Sequence, residues 1–283
     1  MHYNSLVLSI VTFIYGLAAV LYVFSWAFRK EMPGRVATWV TITACLGNAA
    51  GLVLRWYESY QIGSGYGHAP LSNIYESLTF FALTIGVIYL VIERRYENRV
   101  IGVFALPLAF FALAYASFGT NDQIQPLIPA LKSNWLIAHV ISCFIGYSAF
   151  GVAFGVSIMF LFKADRPGKG DDGILARMPD IAVLDELTHQ LIMFGFLFLT
   201  VGIVTGSVWA NSAWGRYWGW DPKETWSFIT WLIYAALLHF RMMRGWRGKR
   251  IAVLSIIGFA AVLFTYFGVN LLPGLHSYGA LKG

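Results

Sequence analysis

Eight long apolar runs dominate this sequence and leave few folds open to it. They cover roughly residues 5–28, 36–56, 73–92, 100–118, 137–162, 187–209, 225–242 and 251–271. A helix needs about 20 mostly apolar residues to cross a bilayer. In lipid a spanning segment must also satisfy its own backbone, which an α-helix does and an open sheet does not. The expected class is therefore all-α, a polytopic integral membrane protein of about eight transmembrane helices. Only 12% of the 283 residues are charged, against about 25% in a typical soluble domain. The net charge of +6 does not point to nucleic acid, because the basic residues sit in short clusters between the apolar runs. The first run, Ser5 to Phe28, is too long for the core of a cleavable signal and leads straight into Arg29 and Lys30. With no strong repeat and no low-complexity tract, residues 1–283 read as a single membrane domain.

The basic clusters set an orientation. Of the 20 Lys and Arg, all but Arg55, Lys132, Arg216, Lys223 and Lys282 fall in the connections at 29–35, 94–99, 163–177 and 241–250. Connections rich in Lys and Arg stay in the cytoplasm. The termini and the loops 57–72, 119–134 and 210–224 are then extracytoplasmic, as an even number of spans requires. Cys45 and Cys143 each lie inside an apolar run and form no Cys-x-x-Cys pair. They read as buried core thiols, so the chain itself carries no site for covalent haem attachment.

The strongest local signal is the stretch from Trp209 to Trp226, which contains Trp209, Trp214, Trp218, Trp220 and Trp226, with Trp231 just beyond. An interfacial belt spreads its tryptophans over many helix ends, whereas this chain concentrates six of its 11 here. A thick membrane anchor is one reading. The other is a flat apolar platform for a large planar ligand, since indole faces pack against an extended π-system. Asp221, Pro222 and Glu224 fit an N-cap, an N1 proline and a capping box at the start of the seventh helix. Asp221 and Glu224 thus have a structural account beside a ligand-binding one. Arg216 and Lys223 either pair with ligand carboxylates or are solvated outer charges.

The Trp-rich segment 209–226 resembles the WWD domain of haem-handling proteins, and the chain as a whole is similar to the CcsA (ResC) family of system II cytochrome c biogenesis. Matching motifs run in family order: Gly-His-Ala-Pro-Leu-Ser-Asn-Ile-Tyr-Glu-Ser at 67–77, Asn-Trp-Leu-Ile-Ala-His-Val at 134–140, and residues 195–210 leading into the Trp-rich loop. Leu-Leu-His-Phe-Arg at 237–241 and Gly-Leu-His-Ser-Tyr at 274–278 follow. The resemblance implies a protein that binds haem b and presents it outside the cytoplasm for attachment to apocytochrome c. There the haem vinyl groups join the thiols of a Cys-x-x-Cys-His motif. It further implies a CcsB (ResB) membrane partner, not fused here, and a role as the CcsA part of a two-component holocytochrome c synthase. The membrane implied is a bacterial inner (plasma) membrane, or a thylakoid.

Position separates the six histidines. His139 opens the fifth span and His276 follows the eighth, on the side of the Trp-rich loop. Neutral imidazoles are good iron ligands, and the resemblance implies that these two are the paired outer axial ligands. His239 lies 14 residues after Thr225, roughly 21 Å down the seventh helix, with Ala235 and Ala236 leaving room beside it. A histidine at such depth is a functional candidate, although one reaching toward the interface near Arg241 is the alternative. The resemblance implies an intramembrane haem ligand, opposed by one from the partner. His68 reads as structural, and His189 and His2 as incidental. Glu76, inside the third span, is left without a role. Gly195, Gly202 and Gly206 make a small-residue face for close helix packing. Two other classes compete: a b-type haem redox protein and a small-molecule transporter. The first usually needs two His about 13–14 residues apart on one helix, which no span here carries.

Overall fold

The computed structural model describes residues 3–63, 65–165 and 173–272. His276 and the whole of its motif at 274–278 lie outside the described residues. Eight helices account for nearly all of what is described: α1 (Tyr3–Ala27), α2 (Glu31–Ile62), α3 (Ile74–Tyr96), α4 (Ile101–Gly119), α5 (Asn134–Ala164), α6 (Ile181–Trp214), α7 (Pro222–Arg244) and α8 (Lys249–Tyr266). Seven are long and apolar enough to cross a membrane. The eighth, α7, carries Lys223 and Glu224 at its start and His239, Arg241 and Arg244 near its end, which dilutes its apolar content.

Both α2 and α6 begin before and end well past the expected spans. At 34 residues, α6 is about 51 Å long and so exceeds a hydrocarbon core of about 30 Å. Trp209 and Trp214 are therefore helical residues, and the tryptophan loop proper shrinks to 215–221. Gly215, with φ +73°, lets the chain leave the helix there. In contrast, α8 stops at Tyr266 and gives way to a short 3₁₀ turn at Gly268–Leu271.

The chain divides into two compact units, residues 1–128 with 162–183, and residues 129–161 with 184–283. In the first, α1 packs on α2 and α4, and α3 on α2 and α4. The segment 173–183 closes one end of α1: Trp26 donates its indole N–H to the Ile174 carbonyl at 2.8 Å and Arg177 donates to the Ser25 carbonyl at 2.9 Å. Two buried polar clusters sit at opposite ends of this unit's helices. At one, the Glu93 carboxylate accepts from Tyr22 and Tyr89, both at 2.7 Å, and lies 3.2 Å from Arg99. At the other, Arg55 donates to Glu76 at 2.8 Å, to Asn4 at 3.2 Å and to the Asp122 carbonyl at 2.7 Å. Arg55 and Glu76 are each 1% exposed, which supplies the role that sequence reading left open for Glu76.

In the second unit α7 and α8 form an antiparallel pair. Thr230 and Thr265 share a hydrogen bond of 2.9 Å, and a side chain at Gly258 would collide with the Tyr234 ring. Arg241 bridges Asp185 at 2.7 Å and Glu186 at 3.2 Å on α6, and Asp185 also accepts from the Gly248 N–H at 2.7 Å. The first turn of α8 is thus capped by a carboxylate from another helix.

Candidate functional site

The site is built on facing stripes of α5 and α6. On α6, Gly195, Leu199, Gly202, Gly206 and Trp209 repeat at intervals of three and four and share one face. On α5 the matching face carries His139, Cys143, Gly146 and Phe150. The helices run antiparallel in close register: a Cβ on Gly146 would lie 3.0 Å from the Gly195 oxygen, one on Gly202 2.5 Å from the Cys143 sulfur, and one on Gly206 2.5 Å from His139 Nδ1. The glycine face expected for packing is present, and Gly206 at one end of it faces a histidine. Cys45 and Cys143 are both buried thiols.

His139 is half-buried. Its Nδ1 lies 2.7 Å from the Gly202 carbonyl. A carbonyl only accepts, so Nδ1 carries the proton and Nε2 keeps the lone pair. The Trp209 ring lies nearly parallel to the imidazole, with 6.1 Å between centroids and 13° between planes. Trp209 is 2% exposed, donates to the Ala130 carbonyl at 2.8 Å and meets the edge of Trp214 at 4.8 Å. Its ring is thus enclosed between His139 and Trp214.

Beyond α6 the aromatics continue. Trp218 meets Trp220 edge-on at 5.7 Å and Phe228 at 6.4 Å. Phe228 stacks on Trp231 at 6.2 Å, and Trp231 donates to Thr200 at 2.9 Å. Trp226 packs on Phe264 of α8 at 4.2 Å. Trp220 is 67% exposed and adopts φ +56°, a conformation uncommon for a bulky residue. Immediately after it the capping box forms: Asp221 accepts from the Lys223 N–H at 3.0 Å, and Glu224 accepts from the N–H groups of Gly219 at 2.7 Å and Asp221 at 3.2 Å. The two carboxylates thus fold the loop back on itself. Phe228 and Trp231 belong to this cluster although sequence reading did not assign them to the site. Their i, i+3 spacing onward from the Trp-rich stretch was the available signal.

His239 lies on the exposed face of α7, in one stripe with Phe228, Leu232, Ala236 and Met243. Arg241, two residues on, turns away into its carboxylate bridge. His189 is half-buried on α6. In the first unit His68 is buried between the Tyr66 carbonyl on Nδ1 and the Ser72 hydroxyl, 3.0 Å from Nε2. Ser72 spends its own proton on Glu76 at 2.8 Å, so both ring nitrogens face acceptors. Burial opposes the charged form of His68, yet the neighbouring Glu76 carboxylate outweighs it and holds the imidazole above its ordinary range. Among the described residues no cluster of three or more His, Cys, Asp or Glu forms a metal site.

Comparison with known proteins places this architecture. The family described as Cytochrome C assembly protein matches residues 71–276. A protein named cytochrome c biogenesis protein CcsA from Parasynechococcus marenigrum is 40% identical over 284 residues, covering 91% of each chain. One of the same name from Porphyra purpurea is 39% identical, covering 96% of this chain and 97% of that one. Among solved structures, a chain named Cytochrome c Heme Lyase CcmF shares the fold with a TM-score of 0.68 at 18% identity, over 95% of this chain and 49% of that one. The chain therefore belongs to the CcsA family of cytochrome c biogenesis proteins.

Proposed function

We propose that the protein binds haem b and presents it on the extracytoplasmic face for covalent attachment to apocytochrome c, working with a separate CcsB (ResB) membrane partner. The observation that carries this reading is the state of His139. Its Nδ1 proton is committed to the Gly202 carbonyl, which leaves the Nε2 lone pair for iron, the arrangement usual for metal-ligating histidines. The surroundings suit a macrocycle, with aromatic rings and few charges. In this reading His139 and His276 hold the iron of the haem substrate from its two faces. Trp214, Trp218, Trp220 and Trp226 pack the ring, with Trp209 behind His139. Asp221 fixes the turn that sets their positions. Haem brings the vinyl groups that the client thiols attack. The protein brings fixed geometry, and no general acid or base is required of it.

His239 forms an inner haem site, loaded before the outer one, and its exposure on α7 leaves it accessible to a ligand from the partner. Residues 1–283 act as one haem-handling domain, with the WWD segment 209–226 within it, as the CcsA part of a two-component holocytochrome c synthase. The membrane is the plasma membrane or a thylakoid, with both termini and the WWD segment outside the cytoplasm.

The test is the absorption spectrum of the protein purified with its partner. It should show low-spin, bis-imidazole haem. His139→Gly and His276→Gly should each lose that signature and cytochrome c assembly, and added imidazole should restore part of both. An unchanged spectrum in the double variant refutes the ligand assignment.

A further inference from the structure

We propose that Gly202 and Gly206 are positioning residues that fix the ring orientation and tautomer of His139. This rests on His139 being an iron ligand and deepens that reading. Sequence spacing alone assigns both glycines to helix packing. The structure gives each a separate task. The Gly202 carbonyl takes the Nδ1 proton at 2.7 Å. Gly206 leaves the space in which the ring lies, since a Cβ there would sit 2.5 Å from Nδ1, 2.7 Å from Cε1 and 3.2 Å from Cγ. Contacts under 3.0 Å are essentially never made by real Cβ atoms, so a methyl group at position 206 must push the imidazole off the α6 backbone. The ring has little room to yield. The anchored Trp209 lies parallel to it, and the Cys143 sulfur is 3.6 Å from Nδ1. Displacement breaks the Nδ1–H···O=C bond. Two consequences follow at the iron: Nε2 no longer points in a fixed direction, and the imidazole loses the electron density that a hydrogen-bonded Nδ1–H supplies.

Four versions of the partner complex decide the matter: the parent, Gly206→Ala, His139→Gly, and the two substitutions together. Haem affinity of the outer site, the low-spin spectrum and the midpoint potential are measured in each, with no imidazole added. Gly206→Ala alone should weaken haem binding by about 10-fold, the lower end of the usual effect of losing an outer partner of a metal-bound histidine. It should also raise the midpoint potential, because a less basic imidazole stabilises ferric iron less. In the His139→Gly background no ring meets the methyl group, so Gly206→Ala should there change neither affinity nor potential. Equal loss in both backgrounds, including failure to accumulate in both, overturns the proposal and returns Gly206 to helix packing. Accumulation of Gly206→Ala only when His139 is absent supports the clash directly. Parent-like affinity and potential in Gly206→Ala overturn it while leaving the ligand reading intact. A parent-like spectrum in His139→Gly removes the ligand reading and the proposal with it.

Discussion

Replacing Glu76 by alanine should unfold the protein far more readily than an ordinary substitution in a membrane helix. Glu76 and Arg55 are each 1% exposed, with Arg55 Nε 2.8 Å from the carboxylate. Deleting the acid leaves a guanidinium that cannot lose its proton and cannot reach water. Its remaining acceptors are the Asn4 side chain and the carbonyls of Asp122 and Gln123, which are neutral. Breaking one partner from such a pair costs about 3–5 kcal/mol. Replacing both by apolar residues of similar length removes the stranded charge, so Arg55→Met with Glu76→Met should recover much of that loss. The assay is thermal or denaturant unfolding of the detergent-solubilised protein, scored by the folded fraction that survives size-exclusion chromatography. Haem bound per folded molecule should stay at the parent level, since the effect is on folding. A Glu76→Ala protein that melts with the parent refutes the reasoning, as does a double variant no better than the single one.

Reporter fusions at Ser212 and Gly170 should fall in opposite compartments, with Ser212 outside, and a cytoplasmic signal at Ser212 overturns the orientation. His239→Ala should reduce haem at the outer site although its ligands are intact, whereas the outer variants should keep haem at the inner one. Normal outer loading in His239→Ala removes the inner site from the route. His68, whose folded-state value is raised by Glu76, stabilises the 65–72 loop fully below its unfolded value of about 6.5. That contribution should fade as pH rises through the higher folded value, seen as faster amide exchange in the loop. The same pH trend in His68→Gln would show that another group is responsible.

The fold was largely legible because a bilayer allows few alternatives: each apolar run became a helix, and the Asp221–Pro222–Glu224 cap formed as its spacing indicates. Boundaries failed where helices outrun the hydrocarbon. No hydropathy pattern announces that α6 continues to Trp214, because the residues beyond Trp209 obey helix propensity and not lipid. The pairing of Arg55 with Glu76 was invisible for another reason. The two sit on different helices, and sequence shows a charge near a span end without showing which neighbour will neutralise it. Gly202 and Gly206 lie between these cases. Their spacing was plain, but that one faces Cys143 and the other His139 depends on the register of α5, which packing alone decides.

The polar character of α7 bears on how the chain enters the membrane at all. With Lys223, Glu224, His239, Arg241 and Arg244 in 23 residues, this helix gains less from lipid than its neighbours do, and each ionisable group near the bilayer centre is penalised. What holds it is contact with protein: Thr230 on Thr265, Trp226 on Phe264, Tyr234 over Gly258, and Arg241 on Asp185. All but the last of these partners lie on α8, which is translated afterwards. Trp231 on Thr200 of α6 and Tyr234 stacked on Phe150 of α5 add contacts with helices translated earlier, so α7 meets protein already in place and α8 completes its packing as the other half of a hairpin.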